Sequence, residues 1–180
     1  MDIGELIVKK ALDRLGYKET KGNSGWEDKN FQLEMEMTGW STGQSWCAYF
    51  LESSWCRAYA EHDGSVIPVL RKLFSANAVA TWENFSNSKF TTSKKPVVGA
   101  GVIWMNMKSG IPSYLTKDKK WIAGHAGIVR EVNSSGFTTI EGNSNQSGGR
   151  EGIEVASLSR TYSFNNQSGL KLLGFVHPKT

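Results

Sequence analysis

Apolar residues recur at helical spacing in the first segment of the chain. Ile3, Leu6, Ile7, Ala11, Leu12 and Leu15 share one face, and Gly16 follows as a stop, which predicts a helix over 3–15. Residues 17–43 are rich in Gly, Asn, Ser, Thr and Lys and read as a long irregular connection. Within it, Phe31 to Met37 alternates apolar and polar, a pattern compatible with a short strand or a turn of helix. A second helix is predicted from about Gln44 to Ala60, ended by the turn His62-Asp63-Gly64, with further helices over 66–74 and 76–85. After Pro96 the pattern changes. The runs 97–105, 127–132, 137–141, 152–157 and 170–176 read as strands separated by Gly, Asn and Ser turns. Helices first and strands second, with hairpin-length connections, predict an α+β fold in which N-terminal helices cover an antiparallel sheet.

Composition narrows the function classes. A chain of 180 residues, 39% hydrophobic and 21% charged, is expected to form one domain over 1–180 with a substantial core rather than a disordered segment. Its 21 basic and 17 acidic residues give a net charge of +4, spread along the chain. That mild excess fits an encounter with a polyanion such as a cell wall or nucleic acid, and identifies neither. No apolar run approaches the ~20 residues of a membrane helix. The N-terminus, Met1-Asp2-Ile3-Gly4-Glu5, lacks a basic stretch followed by an apolar one, so no secretory signal is expected. No glycine-rich loop leads from a strand into a helix, which gives nucleotide binding no support.

Two cysteines are too few for a disulfide scaffold. On one helix, the stretch from Cys47 to Cys56 turns the chain through roughly 900° and places them on opposite faces. There is no Cys-x-x-Cys and the three histidines are scattered, so neither a metal nor another cofactor is expected.

Three polar positions stand out. Cys47 lies just inside the start of the predicted second helix, where the positive end of the helix dipole stabilises thiolate. His125, in Ala123-Gly124-His125-Ala126-Gly127, sits among small residues at the start of a strand. Glu141 and Asn143, in Thr139-Ile140-Glu141-Gly142-Asn143, share one face of an extended chain. Either can accept the second N–H of His125 and fix its tautomer. Each has a plain structural explanation alone: a buried thiol, a satisfied core histidine, a turn.

Their order, a helix-start cysteine, a strand histidine and then a polar side chain on the next strand, resembles that of papain-like thiol hydrolases. More closely, Ser45-Trp46-Cys47-Ala48-Tyr49-Phe50, Gly124-His125-Ala126-Gly127-Ile128-Val129 and Thr139-Ile140-Glu141-Gly142-Asn143-Ser144-Asn145 resemble the CHAP domains (cysteine, histidine-dependent amidohydrolases/peptidases). Gly148 to Gly152 and Leu173 to Pro178 extend the resemblance, which spans about 40–178. It implies a papain-like fold and cleavage of an amide bond in peptidoglycan. Cys47 would be the nucleophile, His125 the base, Glu141 the orienter and Asn143 its helper.

Candidates for binding substrate are Gln44, Trp46, Trp121 and Arg150. Of the seven tryptophans, Trp55 and Trp104 fit core positions, whereas Trp26, Trp40 and Trp121 fall in loops near the three blocks and suggest a groove. The expected partner is peptidoglycan, met by a monomer that binds neither nucleic acid nor membrane. Synthesis in the cytoplasm without a signal, followed by action in the cell wall or periplasm, suggests a phage lysin or an injected antibacterial toxin. The toxin would be paired with an immunity protein. A thiol transferase or deamidase acting on a protein, or a non-catalytic wall-binding module, is the alternative.

Overall fold

The computed structural model describes residues 1–145, 152–162 and 169–179. The first helix, α1 (Ile3–Leu12), opens with a capping box: Asp2 accepts the Glu5 N–H and Glu5 accepts the Asp2 N–H. It buries Ile3, Leu6, Ile7 and Ala11, the face its spacing predicts. The ambiguous segment resolves as helix α2 (Lys29–Glu36), capped by Asp28, whose side chain accepts the Phe31 N–H. Phe31 and Met35, one turn apart, enter the core, and Leu33 stays exposed. A strand would have put all three on one face.

Helix α3 (Cys47–His62) begins later than the pattern predicts and crosses the molecule as its central helix. A 3₁₀ turn (Gly64–Val66), α4 (Ile67–Leu73) and α5 (Ala78–Ser86) follow. Strands β1 (Thr92–Ser93), β2 (Gly101–Lys108), β3 (Ile111–Pro112), β4 (Gly124–Val132), β5 (Gly136–Ser144), β6 (Glu154–Thr161) and β7 (Leu170–Val176) form an antiparallel sheet in the order β1-β7-β2-β4-β5-β6, with β3 paired to β2. The α+β class and the antiparallel sheet are those the pattern predicts. The two-residue strands β1 and β3 are too short to carry a period.

Both faces of the sheet are buried. Ile103, Ala126, Ile128, Ile140, Val155 and Val176 meet the helices, whereas the alternate positions Val102, Trp104, Val129, Phe137, Leu172 and Phe175 form a second cluster on the other face. Among the described residues no helix is long and apolar enough to cross a membrane.

The core at the start of α3 is aromatic. Trp26 lies with its ring centroid 4.9 Å from Phe31, 4.7 Å from Trp40 and 5.1 Å from Trp46. This corrects the expectation that Trp46 binds substrate. Trp46 is wholly buried, its indole Nε1 donates to the Glu19 carboxylate, and Gly142 supplies the space for its ring: a Cβ there would come within 2.6 Å of the indole. Trp26 and Trp40 are likewise buried and pack into the same aromatic core.

Candidate active site

Cys47 is the first residue of α3, and no side chain caps that end, so the N–H groups of the first turn are left to other partners. Cys47 as a whole is 7% exposed. Across from it, the start of β4 presents His125, which is fully buried. Its Nε2 meets Glu141 Oε2 on β5 at 2.8 Å. Nδ1 has no hydrogen-bond partner and is the ring nitrogen left to serve the Cys47 thiol, whose charge acts on the ring. Glycine is required at position 127, because a Cβ would stand 2.7 Å from Glu141 Cγ, in the path by which the carboxylate reaches His125.

Glu141 is fully buried and fully partnered. Oε1 accepts from Thr139 Oγ1 at 2.5 Å and from Arg160 Nε at 2.9 Å, and Oε2 accepts from Arg160 Nη2 at 2.6 Å. The Arg160 guanidinium lies 5.0 Å from the Trp104 ring centroid, and that indole stacks on the His125 ring at 5.8 Å. Trp104 stands directly across from His125 in the β2–β4 register.

The electrostatics favour an ion pair. Burial raises the Cys47 pKa, but the charge and hydrogen bond of His125, with the Ala126 and Ala48 N–H groups, more than offset it and hold the thiol below its ordinary value. Burial lowers the His125 pKa, and is outweighed by Cys47 and then Glu141, which bring it up to about 9. For Glu141 burial acts upward, whereas His125 and Arg160 together bring the carboxyl down to about 2. All three shifts act in the same sense and favour the charged forms, thiolate, imidazolium and carboxylate.

A cleft of about 80 Å³ opens beside the thiol, lined by Ser45, Cys47, Asn77, Leu115, Gly124 and Asn143 among others. The β5–β6 register shifts between Glu141 and Ser144, and Asn143 adopts a left-handed φ of 53°. Simple alternation places Glu141 and Asn143 in like surroundings; the bulge gives Glu141 to His125 and Asn143 to the cleft. The Gln44 side-chain oxygen accepts from the Ser41 N–H at 3.0 Å and the Tyr49 hydroxyl at 2.9 Å, so it braces the loop entering α3. Trp121 is 43% exposed on the connection between β3 and β4, close to the cleft-lining Leu115, whose N–H donates to the Trp121 carbonyl at 2.7 Å. Arg150 lies outside the described residues.

The CHAP domain family model matches residues 38–143. The chain belongs to the CHAP domain family. No curated protein and no solved structure matches it. The family is papain-like and of the peptidoglycan hydrolase and amidase type. The match contains Cys47, His125, Glu141 and Asn143, whereas α1, α2, β6 and β7 of this CHAP domain protein lie outside it. Arg160 is therefore outside too, and the sequence patterns do not point to it. Only the β5–β6 register brings it to Glu141, and no motif announces that pairing. Trp104 is legible as a core residue, but its stacking on His125 is not.

Proposed function

We propose that this chain is a cysteine-dependent peptidoglycan amidase or endopeptidase, with residues 1–180 acting as one catalytic unit. The observation that carries the reading is the buried relay in which Glu141 holds His125 Nε2 and leaves Nδ1 to the Cys47 thiol. The single unit is supported by α1 and β6, which complete the core and the Glu141 site from outside the family match.

In the proposed reaction Cys47 thiolate attacks the carbonyl carbon of an amide in the wall peptide. The carbonyl electron pair moves onto oxygen, and the N–H of Cys47 at the start of α3 stabilises that charge. Asn143 and Ser45 flank the same cleft and contact the substrate. As the carbon–nitrogen bond breaks, His125 gives its Nδ1 proton to the departing amine, leaving a thioester on Cys47. Water then loses a proton to Nδ1 as it attacks the thioester carbon, releasing the acid and restoring the thiolate. Trp121 extends the binding surface. Delivery to the wall is as a phage lysin or as an injected toxin held in check by an immunity protein.

Digesting purified peptidoglycan and weighing the fragments by mass spectrometry tests this. New amine and carboxyl ends are expected with the native protein and none with Cys47→Ala. Intact walls alongside modification of an added protein would replace hydrolysis of the wall by thiol transfer or deamidation.

A further inference from the structure

Glu141 is ringed by donors from three strands: His125 from β4, the Thr139 hydroxyl from β5 and Arg160 from β6. The same guanidinium lies over Trp104, and Trp104 stacks on His125. Arg160, Glu141, His125 and Trp104 thus close a ring of contacts behind the thiol. His125 and Arg160 are the charged groups facing the carboxylate, while Cys47 on α3 and Trp104 on β2 face the imidazole on its other sides.

The fork of Arg160 contacts both carboxylate oxygens, which fixes the plane of Glu141 and keeps Oε2 aimed at Nε2. Its charge is permanent. A fully buried carboxyl facing only an imidazole and a hydroxyl is driven towards its neutral form, and a neutral Glu141 no longer supports an imidazolium.

We infer that Arg160 is a positioning residue that keeps the proton of the Glu141–His125 pair on the imidazole, so that Cys47 still faces an imidazolium as the solution is acidified. The inference rests on the thiol–imidazole reading above, and Arg160 acts through Glu141 without touching substrate.

Iodoacetamide alkylation of Cys47 across pH, in a Cys56→Ser background and with no peptidoglycan present, reads the thiolate directly. With Arg160→Met, the pH at which alkylation fails on the acid side is expected to rise by about one to three units, as Glu141 begins to protonate in that range. Arg160→Lys restores the charge and returns the limb close to its original position. In a Glu141→Gln background Arg160→Met leaves the limb unmoved, since no carboxyl remains to titrate. A rate lowered evenly at every pH, or a shift that persists without Glu141, would overturn the inference. Where circular dichroism shows Arg160→Met unfolded, Arg160→Gln keeps a donor without the charge and carries the same test. Loss of wall digestion with these limb shifts intact strikes the proposed substrate and leaves Arg160 in place.

Discussion

Helix α3 carries both cysteines of the chain, and its two thiols have opposite chemistry. Cys47 starts the helix, beside His125 and the N–H groups of Ala48 and Ala126, and its pKa is held below the ordinary thiol value despite burial. Cys56 lies well inside the same helix, where burial, with the nearby Glu52, pushes its thiol up to about 11. Arg71 opposes that rise, and loses to it. One residue type on one helix thus carries a lowered thiol pKa at one position and a raised one at the other. Burial acts upward on both thiols. What separates them is a partner that accepts a proton and a helix end that stabilises charge, so burial alone predicts nothing about reactivity.

The sharpest way to break that comparison is to remove each sulfur in turn. Cys47→Ser is expected to lower wall lysis by at least about 10³-fold with the fold intact, as loss of the central nucleophile does. Cys56→Ser should leave the rate unchanged and cost about 1 kcal/mol of stability, measured by thermal melting. A dead Cys56→Ser with an active Cys47→Ser would invert the assignment.

Chemical labelling compares the thiols in one molecule. With Cys56 up at about 11, only about one part in 10⁴ of it is thiolate at pH 7. Iodoacetamide followed by peptide mapping should therefore mark Cys47 at least about 100-fold faster. Equal rates in the folded protein would remove the case for an activated nucleophile.

Glu141→Gln tests the partner that makes Cys47 different. Turnover should fall roughly 100-fold or more, because the imidazolium loses its carboxylate. The sign of the pH effect follows from His125. Its pKa is raised to about 9 partly by Glu141, so the active imidazolium form disappears at lower pH in the variant, and the alkaline limb of the rate profile moves down from about 9. An unmoved limb would show that Glu141 does not act on His125.

Two tryptophans separate a loss of stability from a small loss of binding. Trp46→Ala should cost about 3–5 kcal/mol of stability by emptying the aromatic core. Trp121→Ala should leave melting unchanged and raise KM only a few-fold, about 1 kcal/mol of binding from an exposed ring. A raised KM with Trp46→Ala at full stability would restore it as a binding residue.

Much of the molecule is legible in the order of its residues. The spacing of Ile3, Leu6, Ile7 and Ala11 predicts α1, and the change of period after Pro96 predicts the sheet and its antiparallel class. The blocks around Cys47, His125 and Glu141 point to the family. These are local signals, because helix and strand periods and motif chemistry are written in consecutive residues. Residues 31–37 are ambiguous for the same reason: seven residues fit either period, and the Asp28 cap with burial of Phe31 and Met35 decides for helix.

Pairings between distant segments decide the rest. Trp46 and Trp121 have the same side chain, but one points into the aromatic cluster and the other to solvent. Glu141 and Asn143 alternate in sequence, but a bulge sends one to His125 and the other to the cleft. Arg160 reaches Glu141 only because β6 pairs with β5 in one register, and a one-residue slip would turn it to the other face. The amino-acid order alone sets which chemical groups this chain has to work with and how they follow one another. Strand register, the bulge after Glu141 and the close approach at Gly127 set their distances, because those depend on contacts between residues far apart in the chain.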